Sequence, residues 1–208
     1  MQSIPIFKQT GVFDVKAIHE AFRQAGVEAT EGHVEEAQMK FFNEWLMKHP
    51  KVKVIFEIGF NAGHSAFTFL TSRPDITVVS LDLGAHDYVL KGKKLIDREF
   101  PGRHTLIIGD STEHLQPNTP TAELLEHLKP DLIFVDGGHD EPIPERDIWN
   151  CHRLCKPSTW MIIDDVIEHH RDVVKGVKAA VAAELIIPIQ QYTDGKFRGW
   201  LVAKPSFN

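Results

Sequence analysis

Apolar residues recur at helical spacing near the start of the chain. In residues 14–25 (DVKAIHEAFRQA), Val15, Ile18 and Phe22 lie on one side of a predicted helix, and Gly26 stands where such a helix would stop. A second helix is predicted from about His33 to His49, with Val34, Met39, Phe42, Trp45 and Leu46 on its apolar side and Pro50 beyond its end. The texture then changes to short unbroken apolar runs at 52–58, 76–81, 105–108, 132–135 and 160–163, each followed by a turn and a helix-length segment. Strands covered on both faces show continuous rather than alternating hydrophobicity, so these runs predict buried parallel strands alternating with helices.

The end of the chain differs. Runs at 184–192 and 197–203 are separated only by Thr193, Asp194, Gly195 and Lys196, a link long enough for a hairpin but not for a crossover, so the last two strands must be antiparallel. The expected fold is α/β: a doubly wound, mostly parallel seven-stranded sheet with an antiparallel C-terminal hairpin. Residues 1–50 are expected as a helical cap within the same domain, and residues 51–208 as the ligand-binding part. The length of 208 residues suits one such domain at about 150 residues each with some decoration.

Composition narrows the partners. A hydrophobic content of 42% with 14 glycines is ordinary for a globular chain, and a net charge of −6 has the wrong sign for neutralising phosphates, which argues against nucleic acid. No apolar run approaches a membrane span, and the opening MQSIPIFKQT lacks the basic and apolar regions of a secretory signal, so a soluble cytoplasmic protein is expected. Cys151 and Cys155, without a second cysteine pair, read as reduced thiols rather than a zinc site.

In an open parallel sheet, ligands bind outside the carboxyl ends of the strands. The first strand delivers Glu57-Ile58-Gly59-Phe60-Asn61-Ala62-Gly63-His64-Ser65, a loop whose glycines allow a tight turn and close backbone approach. The next four end in Asp82, Asp110-Ser111, Asp136-Gly137-Gly138-His139 and Asp164-Asp165, so every end is acidic. A single Asp is often a cap or turn residue; five in register point to a site. Asp82 lies 19 residues beyond Gly63, the offset at which an acid can accept from both ribose hydroxyls of a nucleoside. Asn61 stands where a dinucleotide fingerprint needs its second glycine, and no P-loop motif is present. Glu57 would repel phosphates but suit a cationic ligand, which points to S-adenosylmethionine.

These motifs, Glu57-x-Gly59-x-x-x-Gly63 with Ser65, Asp82, Gly109-Asp110-Ser111, Asp131 to His139 and Ile163-Asp164-Asp165, resemble class I S-adenosylmethionine-dependent methyltransferases. More specifically, they resemble the small O-methyltransferase branch of catechol, caffeoyl-CoA and macrolide-sugar enzymes. The resemblance spans roughly residues 30 to 203. It implies that Gly59 and Ser65 lie along the methionine part of the donor, Asp82 at the ribose, and Asp110 with Ser111 at the adenine. It also implies a small hydroxylated acceptor and a homodimer. Asp136, Asp164 and Asp165 end adjacent central strands and can converge, and three carboxylates suit Mg²⁺, Ca²⁺ or Mn²⁺ rather than zinc. In metal-dependent members the matching positions hold a divalent ion that binds the substrate's hydroxyls, with Asn usual where this chain has Asp165.

His139, three residues after Asp136, is the expected base. His169 and His170 are expected as a solvated first turn of the next helix, Arg153 and Lys156 as charges complementing a helix end, and Phe41, Phe42 and Trp45 as core. Two alternatives remain open: a metal-independent methyltransferase in which Asp136, Asp164 and His139 share the acid, base and orienting roles, and a nucleoside-binding module without turnover.

Overall fold

The computed structural model describes residues 13–29, 34–195 and 197–207. Two helices open it. Helix α1 (Val15–Gln24) begins at Asp14, whose carboxylate accepts from the N–H groups of Lys16 and Ala17 at 2.9 and 3.3 Å, and it buries Val15, Ile18, Ala21 and Phe22. Helix α2 (Glu36–Lys48) buries Met39, Phe42, Trp45 and Leu46, as the pattern predicts, and also Gln38. Its predicted start at His33 lies outside the described residues; Glu35 is extended and serves as the N-cap.

The alternating part follows as β1 (Val54–Ile58), α3 (His64–Ser72), β2 (Thr77–Asp82), α4 (Asp87–Glu99), β3 (His104–Ile108), α5 (Ser111–His114) and α6 (Pro120–Leu128). It continues through β4 (Leu132–Val135), α7 (Ile143–Leu154), β5 (Trp160–Ile163), α8 (Arg171–Ala182), β6 (Ile186–Thr193) and β7 (Gly199–Pro205). The seven strands form one sheet in the order β3-β2-β1-β4-β5-β7-β6. Strands β1 to β5 pair in parallel, and β7 is antiparallel to both β5 and β6. The predicted hairpin is present, but its second strand is the one inserted beside β5, which leaves β6 at the edge. The first apolar run begins two residues before β1, because the Val52 N–H turns back to His49 O at 3.0 Å rather than joining the ladder.

The sheet separates two apolar layers. Ile55, Phe134, Ile162 and Val202 face α1 to α4, whereas Phe56, Ile133, Met161 and Ile163 face the other side with α7 and α8. The cap belongs to the first layer: Phe42 packs its ring against Phe69 and Phe134 at centroid distances of 4.9 and 5.1 Å. Phe42 and Trp45 are buried, and the partly buried Phe41 lies against Tyr192 and Trp200. Arg153 and Lys156 do more than face a helix end: Arg153 donates to Leu115 O at 2.6 Å, and Lys156 pairs with Asp131 at 2.7 Å. Cys151 and Cys155 are free thiols, and burial pushes the Cys155 thiol up to about 12. Among the described residues no helix is long and apolar enough to cross a membrane.

Candidate active site

Chain reversal between β1 and β4 leaves a crevice at the carboxyl ends of the parallel strands. Two cavities meet there. One, of about 290 Å³, is lined by Asn61, Asp82, Leu83, Asp110 and Ser111; the other, of about 710 Å³, by His139, Asp165, His169, His170, Phe197 and Arg198. Gly59, Asn61, Asp136, Gly137 and Gly138 line both, so a ligand on the β2–β3 side and one on the β5–β7 side would meet at Gly59 and Asp136.

Gly59 owes its identity to this junction. Its φ is +90°, and a Cβ placed on it would lie 1.8 Å from the backbone oxygen of Asp136. The exits of β1 and β4 therefore touch through backbone alone. Glu57, Gly63 and Ser65, expected along the donor, line neither cavity. Glu57 is completely buried and accepts from Ser65 Oγ at 2.8 Å and Ser80 Oγ at 2.6 Å, while a Cβ at Gly63 would sit 2.7 Å from the Phe60 ring. These three residues hold the loop from beneath. Glu57, read from the sequence as facing a cationic ligand, sits inside β1 rather than beyond its end, and its carboxylate is held by these hydrogen bonds within the fold.

Asp82 and Asp110 line the smaller cavity and also shape it. Asp82 accepts from the N–H groups of Asn61 and Gly84, both at 2.7 Å. Asp110 caps α5 by accepting from the Thr112 N–H and hydroxyl, both at 2.7 Å. Ser111 lies beside Asp147 on α7, a fully buried acid whose pKa burial pushes up to about 7 despite the opposing influence of Ser111. No motif marks Asp147 in the sequence; its signal would have been an acid on an otherwise apolar helix face.

Across the junction, the three expected acids converge, with carboxylate oxygens of Asp136, Asp164 and Asp165 within 4.8 Å of one another. Burial, then the neighbouring Asp164 and Asp165, raises Asp136 well above the usual carboxylate range. Burial, then Asp165, raises Asp164 to about 6, while Gln38 from the cap opposes the shift. Asp165 goes the other way: burial alone would raise it, but His139, His170 and Arg198 together hold it below its ordinary value. Its backbone is left-handed, at φ 56°, a conformation that Asp and Asn tolerate better than most residues, so Asp suits this position.

His139 lies where the sequence places it, with Nε2 at 2.9 Å from Asp165 Oδ2, a pairing that raises its pKa. His170 is not a solvated turn residue. It is the N-cap of α8, and its Nε2 is 3.4 Å from Asp165 Oδ1. Arg198, which the sequence reading missed, reaches the same oxygen at 3.3 Å. The Asp194 carboxylate accepts from the Phe197 and Arg198 N–H groups at 3.0 Å, folding the hairpin tip back over the strand ends.

Glu57 supports a test of the floor beneath the loop. Ser80 has one hydroxyl proton and gives it to Glu57, so at 2.8 Å His104 Nε2–H must donate to Ser80. Burial raises Glu57 from 4.5 to about 7 and lowers His104 from 6.5 to about 3. The stability tied to Glu57 is full below pH 4.5 and lost as pH rises through about 7; that tied to His104 is full above 6.5 and lost as pH falls toward 3. The two slopes oppose between pH 4.5 and 6.5. Relative to wild type, Glu57→Gln should make stability rise more steeply with pH in that window and His104→Asn should make it fall, each by up to about 1.4 kcal/mol per pH unit. Urea unfolding at several pH values reads both; parallel profiles for all three proteins would refute the assignment.

A family model described as a methyltransferase domain matches residues 56–166. No curated protein matches the chain significantly. Among solved structures, the chain is similar to an O-methyltransferase from Bacillus cereus in complex with SAH (S-adenosylhomocysteine), with a TM-score of 0.73 and 17% identity over 95% of this chain and 94% of that one. An SAH-bound methyltransferase from Podospora anserina gives 0.71 and 16%, covering 91% and 88% of the two chains. An O-methyltransferase from Streptomyces achromogenes involved in tomaymycin synthesis, in complex with SAM, gives 0.66 and 18%, covering 92% and 89%. At these identities the structures speak for a shared fold. The family match starts inside β1 and ends just past Asp165, so it takes in all five acidic strand ends and just over half of the 208 residues: the chain belongs to the methyltransferase-domain family.

Proposed function

We propose that the protein is an S-adenosylmethionine-dependent O-methyltransferase for a small hydroxylated molecule, assisted by a divalent cation. One observation carries this: the cavity bearing Asp82 and Asp110 runs into the cavity that Asp136 and Asp165 of the three-acid cluster line, with Gly59 and Asp136 at the junction and Asp164 buried behind them. Donor and acceptor bound in the two halves would meet there. The two relatives solved with SAH and the one solved with SAM support the donor.

Within this reading Asp82 holds the ribose, Asp110 and Ser111 the adenine edge, and Leu83 supplies apolar wall. Asp136, Asp164 and Asp165 would hold the cation; their all-oxygen set and the raised pKa values of Asp136 and Asp164 fit a group that stabilises their charged forms. A divalent cation there lowers the pKa of a substrate hydroxyl bound to it. With its Nε2 side turned to the Asp165 carboxylate, His139 would offer the lone pair of Nδ1 to accept the hydroxyl proton as the oxygen attacks the donor methyl. A second reading, methyl transfer without metal, is favoured by one observation: His139, His170 and Arg198 already surround Asp165.

The experiment is turnover of S-adenosylmethionine with a panel of small phenols, catechols and hydroxylated sugars, reading S-adenosylhomocysteine with Mg²⁺ and with EDTA. Product in either condition supports the methyltransferase, and none with any acceptor favours a binding module. For the donor half, Asp82→Asn keeps an acceptor but loses the charge. Calorimetry should then show S-adenosylmethionine binding weakened about tenfold or more, as a charge-assisted bond is worth about 1.5 to 3 kcal/mol. Unchanged affinity would confine Asp82 to its turn bonds with Asn61 and Gly84.

A further inference from the structure

The larger cavity holds a second donor set that the three carboxylates do not account for. A ring nitrogen of His139, a ring nitrogen of His170 and a carboxylate oxygen of Asp165 lie within 4.8 Å of one another. The two imidazoles meet edge to face, with centroids 4.6 Å apart. Each member is held by a separate part of the fold. His139 follows the glycine pair after β4, Asp165 lies two residues past the end of β5, and His170 is pinned at the start of α8, where its N–H donates to Ile167 O at 3.0 Å and its carbonyl accepts from Val174 N–H at 3.1 Å. The Asp165 side chain is 2% exposed, but those of His139 and His170 are 42% and 25% exposed, so an ion in the cavity could reach both rings.

We propose that His139, Asp165 and His170 form a second cation site, for a borderline divalent ion such as Zn²⁺ or Co²⁺. Two neutral imidazoles and one carboxylate are the donors that such ions prefer, whereas Mg²⁺ prefers oxygen and retains its water. Arg198 and His170 approach Oδ1 of Asp165, and of these partners only His139 is on Oδ2, which marks Oδ2 as the oxygen an ion between the rings would take. Because Asp165 belongs to both donor sets, the two sites compete for it. An ion at the outer site also occupies the His139 ring. If the methyltransfer reading above holds, from which this consequence follows, Zn²⁺ should therefore inhibit and excess Mg²⁺ should relieve the inhibition.

The test uses the full chain, stripped of metal, and Co²⁺ as the probe. Calorimetry and the visible absorption of Co²⁺ should report one bound ion. X-ray absorption at the cobalt edge should show two imidazole nitrogens in the wild-type protein, a measurement that needs no variant. His170→Asn should weaken Co²⁺ by roughly 100-fold or more, since even partners one layer removed from a metal are worth about 10- to 100-fold. Asp136→Asn should leave Co²⁺ bound. A cobalt centre without imidazole, unchanged affinity in His170→Asn, or loss of Co²⁺ in Asp136→Asn would each overturn the site. Absence of methyl transfer with any acceptor would instead count against the proposed function, and the cobalt result would stand apart from it.

Discussion

Replacing Gly59 by alanine is expected to destabilise the protein by about 3 to 5 kcal/mol, toward the upper end of what single substitutions do, and to abolish donor binding in whatever fraction still folds. Two costs combine. The left-handed backbone at φ +90° costs a residue with a Cβ about 1 to 2 kcal/mol. The larger cost is steric, because the new carbon would lie 1.8 Å from Asp136 O. Neither neighbour can give way easily: Gly59 N–H is bonded to Leu81 O at 2.9 Å, and Asp136 N–H to Ile58 O at 3.0 Å. Relief must part the exits of β1 and β4, which pulls Asn61 from Asp82 and Asp136 from Asp164 and Asp165. Gly102→Ala is the control. It also has positive φ, at +74°, but its Cβ would meet nothing within 4 Å, so it should cost only the conformational part, about 1 to 2 kcal/mol. Denaturant midpoints for the two variants, with calorimetry for S-adenosylmethionine, check this; equal destabilisation would show that the junction is not packed as tightly as the backbone contact requires.

The second large effect concerns the acids. If the three-carboxylate cluster holds a cation that the reaction needs, turnover should vanish with EDTA and return with Mg²⁺. Asp136→Ala and Asp165→Ala should both abolish it, and Asp165→Ala should do so while S-adenosylmethionine still binds, because Asp165 lines only the larger cavity whereas Asp136 stands at the junction of the two. His139→Ala should lower turnover by about 10² to 10⁴, the usual contribution of a positioned proton acceptor. Stopped assays of initial rate with chelator and with added metal decide the point. Full activity in EDTA would move the mechanism to the metal-free reading, in which Arg198 and the histidines neutralise Asp165.

Much of this protein is legible in its residues. The apolar runs at 132–135 and 160–163 coincide with β4 and β5, and the acids at 82, 110, 136, 164 and 165 all stand at or just past strand ends. Continuous hydrophobicity reports burial on both faces of a parallel sheet, and a turn after each run reports where the chain must leave it, so element type and the positions of the strand ends follow from local pattern. The short link before β7 likewise forces an antiparallel pair. Local pattern holds no information on which distant groups meet. Only the tertiary structure places β7 rather than β6 against β5, and so brings the hairpin tip, with Arg198, onto Asp165 from 33 residues away. Only packing turns Glu57 and Ser65 inward, under the loop they were expected to face. His170 is likewise drawn to Asp165 by the turn between β5 and α8, not by any spacing visible in advance. Burial and dihedral preference are properties of a few neighbouring residues, whereas convergence of charge depends on strand order, register and the path of loops, which the whole chain sets together.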